Sequence, residues 1–162
     1  MKHLIILLLI VSSMSAGAQS LPNFNMIKLE KPADYKAADP FVLQTANYLL
    51  SVPYMNENKD RMSALQFMSK WMKGTNDYSF AFGETERKMF SDNNDLFGVY
   101  MASLAKYTLE NKVAAKDAKV AKLNALTLML SYCEQKSNNI KYSKQLKKLS
   151  DAKAKGQLAQ YL

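Results

Sequence analysis

From Phe41 onward, apolar side chains recur mostly every three or four residues, and charged residues fill the faces between them. Asp39-Pro40 opens the first such stretch, with an acceptor side chain at the cap and proline at the first helical position. Phe41, Val42, Thr45, Tyr48 and Leu49 follow at helical spacing, and Pro53 stops this helix near Ser51. A second helix is expected from about Asn58 to Lys73. Met62, Leu65, Met68 and Trp71-Met72 form its stripe, widened by Ala64 and Phe67, while Lys59, Arg61 and Lys70 fall on other faces. Gly74 reads as its terminator, because the residue after a helix often takes a left-handed conformation that costs glycine nothing.

The period then changes. After the turn residues Thr75-Asn76-Asp77, Tyr78, Phe80 and Phe82 alternate with Ser79 and Ala81, which predicts a short extended segment with its aromatics on one side. Thr85 to Phe90 can form a short helix. Ser91-Asp92-Asn93-Asn94-Asp95 reads as capping chemistry, since it lacks the spaced ligand set and bidentate glutamate of a calcium loop. The next helix, roughly Asp95 to Lys112, carries Phe97, Tyr100-Met101, Leu104 and Tyr107-Thr108. A short link, Val113 to Asp117, makes it the antiparallel neighbour of a helix from about Ala118 to Gln135. There Val120, Leu123, Leu126-Thr127, Leu130 and Cys133 share a face; Leu128 and Met129 add apolar character all round, so a central position is expected. Ser143 can cap a last, basic helix with Leu146, Leu149 and Ala152, interrupted at Gly156.

These elements predict an all-α fold: a single non-repetitive bundle of about five to six helices over residues 40–162. It is preceded by an extended N-terminal arm, residues 19–39, and includes the short aromatic extended segment. Five glycines, four prolines and ten methionines fit helices better than a many-turned β-sandwich. Residues 1–18 fit a secretory signal peptide: Lys2, an apolar run from Leu4 to Val11, and small residues Ala16-Gly17-Ala18 at the cleavage point. The alternative, an anchoring helix, needs about 20 apolar residues and this run is far shorter. The expected product is exported, periplasmic or secreted after cleavage near Ala18, with no transmembrane segment in the mature chain.

Two scarce residues limit the chemistry. His3 is the single histidine and leaves with the leader; Cys133 is the single cysteine. Ser-His-Asp and Cys-His catalysis are therefore excluded from the mature chain, as are the Cys and His sets that hold zinc, haem or iron–sulfur clusters. No catalytic, metal or cofactor-binding residue is expected. Cys133 lies in an apolar helical run and reads as a core thiol.

Charge is placed unevenly. Residues 1–105 are balanced, whereas residues 106–162 hold twelve lysines against Glu110, Asp117, Glu134 and Asp151, so the whole net charge of +8 belongs to the last third. Lys141, Lys144, Lys147 and Lys148 are the candidate interaction residues. They form either a solvated helix face or a docking face for an envelope protein or anionic surface. Export argues against nucleic acid. Trp71, Tyr78, Phe80 and Phe82 form an aromatic cluster that a cleft or a core could use; helical and strand phases converge on one interior, which favours core.

The leader, Ala46-Asn47-Tyr48-Leu49-Leu50, Trp71-Met72-Lys73-Gly74-Thr75, Asp77-Tyr78-Ser79-Phe80 and Tyr100-Met101-Ala102 together resemble a group of small exported all-α proteins of unknown function from Gram-negative bacteria. The resemblance implies a helical fold and brings no catalytic residues. The helix pairs are also weakly similar to tetratricopeptide repeats, without self-similarity at their roughly 34-residue period. The expected function is a non-enzymatic exported interaction or accessory protein of the cell envelope. Two alternatives stay open: a carboxylate-dependent glycan hydrolase using Glu84, Glu86, Asp92 or Asp95, and adsorption to anionic lipid or polymer through the basic C-terminal helices.

Overall fold

The computed structural model describes residues 20–55, 58–91 and 94–162. The leader reading, the cap candidates Asp92 and Asn93, and the side chains of Asn94 and Asp95 lie outside the described residues. Every regular element among the described residues is helical. Among the described residues, seven α-helices follow one another as α1 (Pro32–Ala37), α2 (Asp39–Ser51), α3 (Lys59–Gly74), α4 (Glu84–Met89), α5 (Asn94–Glu110), α6 (Ala118–Glu134) and α7 (Lys144–Ala154). They form a single non-repetitive bundle, with short 3-10 turns at Phe24–Met26, Ala114–Lys116, Lys136–Asn138 and Leu158–Tyr161.

One helix more than the sequence pattern predicted arises inside the arm. Pro32 occupies the first helical position of α1, and the Asp34 carboxylate folds back to accept from the Glu30 and Lys31 backbone N–H groups at 3.1 and 3.0 Å. Those two backbone bonds, first Lys31 and then Glu30, hold the Asp34 carboxyl below its ordinary range. Ahead of α1 the arm lies along α3, with Phe24 stacked on Phe67 at 4.7 Å between centroids.

The caps of the longer helices are local and follow the expected chemistry. The Asn58 side chain accepts from Arg61 N–H at 3.0 Å, Asp117 from Lys119 and Val120 N–H at 2.9 and 3.3 Å, and Ser143 from Leu146 N–H at 3.1 Å. At the end of α7, Gly156 adopts φ 68°. Its N–H donates to Lys153 O at 3.0 Å and the Gln157 N–H to Ala152 O at 2.8 Å, the paired closure that needs a left-handed residue.

Gly74 has a different role from the one its position implied. It is the last residue of α3 and not among the positive-φ residues. A β-carbon here would overlap the Tyr35 ring, so glycine is required by close packing between α1 and α3. Tyr35 is held from both sides: its hydroxyl donates to Leu29 O at 3.2 Å, and its carbonyl accepts from the Trp71 indole N–H at 3.0 Å.

The centre of the bundle is α5, not α6 as expected. α5 packs against α6, α2 and α3. Val99, Tyr100, Ala102, Ser103, Leu104, Ala105, Thr108 and Leu109 are all buried. No charged residue interrupts Leu96 to Ala105, and small residues let neighbours approach: a β-carbon on Gly98 would press against the Leu65 methyls at 3.0 Å. Buried hydroxyls on these helices bond their own preceding turn, Ser103 to Val99 O at 2.9 Å and Thr45 to Phe41 O at 2.7 Å. α6 is one-sided instead. It buries Ala121, Ala125, Leu126, Met129, Leu130, Tyr132 and Cys133, a face rotated from the predicted stripe, and Val120 is 36% exposed. In α3, Met62 likewise leaves the predicted stripe and is 55% exposed.

Candidate functional site

The aromatic segment returns over the end of α3. Trp71 is fully buried, and the Tyr78 and Phe80 rings lie 5.8 and 5.4 Å from it. Phe82 continues the row against Phe97 at 5.0 Å, edge-on, and Tyr100 at 6.3 Å. Tyr78, Phe80 and Phe82 are half-buried whereas Ser79 and Ala81 are exposed, so the period of two follows the interior. Beneath the segment is a cavity of about 100 Å³, bordered by Tyr78, Phe80, Ala118, Ala121 and Lys122.

Polar ties hold this segment in place. The Tyr78 hydroxyl and the Lys112 ammonium both donate to Asp39 Oδ2, each at 3.2 Å. Asp39 therefore does not cap α2. Ala38 stands at that position, and the carboxylate reaches sideways to groups 39 and 73 residues away. Burial pushes the Tyr78 hydroxyl up, with Lys112 pulling the other way. Lys112 is also raised, chiefly by its bond to Tyr78 and then by Asp39. At neutral pH the phenol is neutral and the ammonium charged, so both donate to Asp39 Oδ2 and the trio acts as a clamp.

Glu86 makes the second tie. Its Oε2 accepts from the Gly83 N–H at 2.7 Å, closing the first turn of α4, and its Oε1 pairs with Lys122 at 2.5 Å. Burial alone would raise this carboxyl, but the Lys122 bond and the backbone N–H groups outweigh it, and the net direction is down. Glu86 is thus ionised at neutral pH and has no proton to donate. Glu84 is exposed and pairs with Lys88 at 2.8 Å.

Arg61 is a buried cation that the sequence pattern placed on an outer face. Only 4% exposed, it donates from Nη1 to Leu49 O at 3.1 Å and lies over the Tyr54 ring at 5.1 Å. The available signal was positional: a cation beginning α3 sits beside the unfilled carbonyls that end α2. Cys133 is buried, and its thiol is pushed up to about 12, first by burial and then by Glu134, against a smaller pull from Lys153. The native protein is therefore expected to resist a thiol-specific disulfide reagent at pH 8 and to react fully once unfolded. Rapid labelling of the native state would contradict this burial.

The last helix separates its two faces. Leu146, Leu149 and Ala152 are buried against the bundle, while Lys141, Lys144, Lys147 and Lys148 are exposed. The acids of this third are all engaged. Glu110 pairs with Lys106 at 2.5 Å, Glu134 with Lys153 at 2.7 Å and Asp151 with Lys147 at 3.3 Å, and Asp117 caps α6. Lys116, Lys119, Lys136, Lys141, Lys144, Lys148 and Lys155 are left exposed with no acidic partner among the described residues. Lys144 and Lys148 lie one turn apart on the same face, and Tyr142, just ahead of the helix, is 46% exposed.

Among the described residues no group of three or more His, Cys, Asp or Glu side chains is arranged to hold a metal, and no helix is long and apolar enough to cross a membrane. Comparison with protein families, curated proteins and solved structures finds no match to this chain.

Proposed function

We propose that the protein is a non-enzymatic, exported accessory protein of the cell envelope that presents the lysine face of α7 to an acidic partner. The observation that carries this reading is the distribution of counter-charges: every acid of the basic third is engaged within the protein, while a row of exposed lysines is not. Because Leu146 and Leu149 are turned into the bundle, attraction depends on charge rather than apolar insertion. It should therefore weaken steeply with salt, since exposed charges are screened over about 10 Å at 0.1 M. The hydrolase alternative has less support, because Glu86 is engaged by Lys122 and the Gly83 N–H.

The test is co-purification from a native envelope extract using wild type and a variant with Lys141, Lys144, Lys147 and Lys148 changed to Glu. Wild type should retain an acidic partner at low salt, release it at about 0.5 M salt, and lose it in the variant. Equal recovery by the two proteins would sink the proposal.

A further inference from the structure

The arm and α3 border a groove of about 490 Å³ to which α7 contributes no residue, within the usual range of roughly 300–1,000 Å³ for ligand sites. Its two walls are chemically distinct. The arm contributes Asn23, Phe24 and Asn25, and α3 contributes Asp60, Ser63, Gln66 and Lys70, with Phe67 stacked on Phe24 between them. The four polar α3 positions recur at three- and four-residue spacing and so share one helix face. All four are exposed, and none of their side chains bonds another described residue. This contrasts with Asp34, Asp39, Glu86 and Asp117, whose carboxylates are all engaged.

The ends of the row carry opposite charges. Asp60 and Lys70 are ten positions apart, so at 1.5 Å rise per residue they mark out about 15 Å. An extended peptide rises about 3.3 Å per residue, which makes that span roughly four residues long. Between the charges, the carboxamides of Asn25 and Gln66 each offer donors and an acceptor, the complement of a peptide group. Asn23 already uses its carbonyl oxygen to accept from Asn25 N–H at 3.2 Å, and its NH₂ has no partner among the described residues. Phe24 and Phe67 supply an apolar surface for a side chain.

We infer that this groove binds a short peptide of about four residues with free ends, its ammonium at Asp60 and its carboxylate at Lys70. The inference is independent of the lysine face on α7. A neutral sugar chain could lie on the same rings and amides but has no end charges to match, which is what separates the two ligands.

The experiment titrates the full chain at low salt with tetra-alanine, following backbone amide shifts, and repeats it with the N-acetylated and the C-amidated peptide. Shifts are expected in residues 21–29 and 60–70. Capping either end should weaken binding roughly five- to tenfold, the size of one charge-assisted contact. In Asp60→Asn the N-acetyl penalty should vanish while the amide penalty stays, and Lys70→Gln should show the reverse. Both side chains are exposed, and an unchanged circular-dichroism spectrum checks that the variants fold. No shifts up to about 10 mM peptide, equal binding of free and capped peptides, or stronger shifts with a neutral tetrasaccharide would each overturn the inference.

Discussion

Trp71→Ala is expected to lower the stability of the protein by about 3–5 kcal/mol, the usual cost of truncating a buried large aromatic. The loss has three sources. The indole is fully buried, so truncation leaves a cavity that surrounding helices fill only in part. Its N–H satisfies the Tyr35 carbonyl, which would be left without that partner. The Tyr78 and Phe80 rings rest against it, so the return segment loses its support. Trp71→Phe should retain much of the packing and lose the hydrogen bond, giving a smaller decrease of about 1–2 kcal/mol. Urea denaturation followed by circular dichroism measures both. A loss below about 1 kcal/mol for the alanine variant would place the indole at a surface, and the aromatic cluster would have to be read as a cleft.

The second large effect is expected at the Glu86–Lys122 pair. Lys122→Met leaves a 3%-exposed carboxylate without its cation, which should cost about 2–4 kcal/mol at pH 7, toward the lower end of values for breaking a buried pair. Glu86→Gln should cost less, since Lys122 is 25% exposed and can turn to water. The double variant should recover most of the Lys122→Met loss, because no buried charge remains unpaired.

The pH dependence has a definite sign. In wild type the folded-state carboxyl is depressed, so its stabilising contribution is present above the unfolded value and fades as pH falls through the folded one. Without Lys122 only the backbone N–H groups oppose burial, so the folded carboxyl moves up from its wild-type position and the stabilising contribution above the unfolded value shrinks. The deficit should therefore be larger at pH 7 than at pH 4. A deficit independent of pH would mean that the pair contributes no charge effect.

How much of this was legible in the sequence depended on distance along the chain. The cap at Ser143 was readable because its acceptor lies within three residues of the N–H it satisfies, and Asn58 and Asp117, at the expected helix starts, use the same local chemistry. The change from helical period to alternation at Tyr78 was readable for the same reason, as was the split between leucines and lysines on α7. Helix α1 also left a local signal, Pro32 followed by Asp34, but its short length obscured it.

What stayed hidden is set by partners far away. Asp39 has the residue type and position of a cap, and its use is decided by Tyr78 and Lys112. Gly74 sits where a helix terminator belongs, but the Tyr35 ring makes glycine necessary. Arg61 looks like a surface cation until the end of α2 is placed beside it. The exchange of α5 for α6 at the centre has a similar origin. Both helices carry an uncharged run of at least ten residues, but α5 sets Gly98, Ala102, Ser103 and Ala105 within its run, and these small residues allow three neighbours to close around it. The groove between the arm and α3 exists only because Phe24 stacks on Phe67, a pairing that neither segment announces alone.

The measurement that bears most directly on the lysine face is site-specific photo-crosslinking in the native envelope. A photoreactive residue would replace Lys148 on α7 or, as a control, the exposed Ser79 on the outer side of the aromatic return. A crosslink to an acidic partner from position 148, absent from position 79 and lost at about 0.5 M salt, is the expected result. A partner captured from position 79 and not from position 148 would contradict it, and would move the functional surface to the aromatic segment.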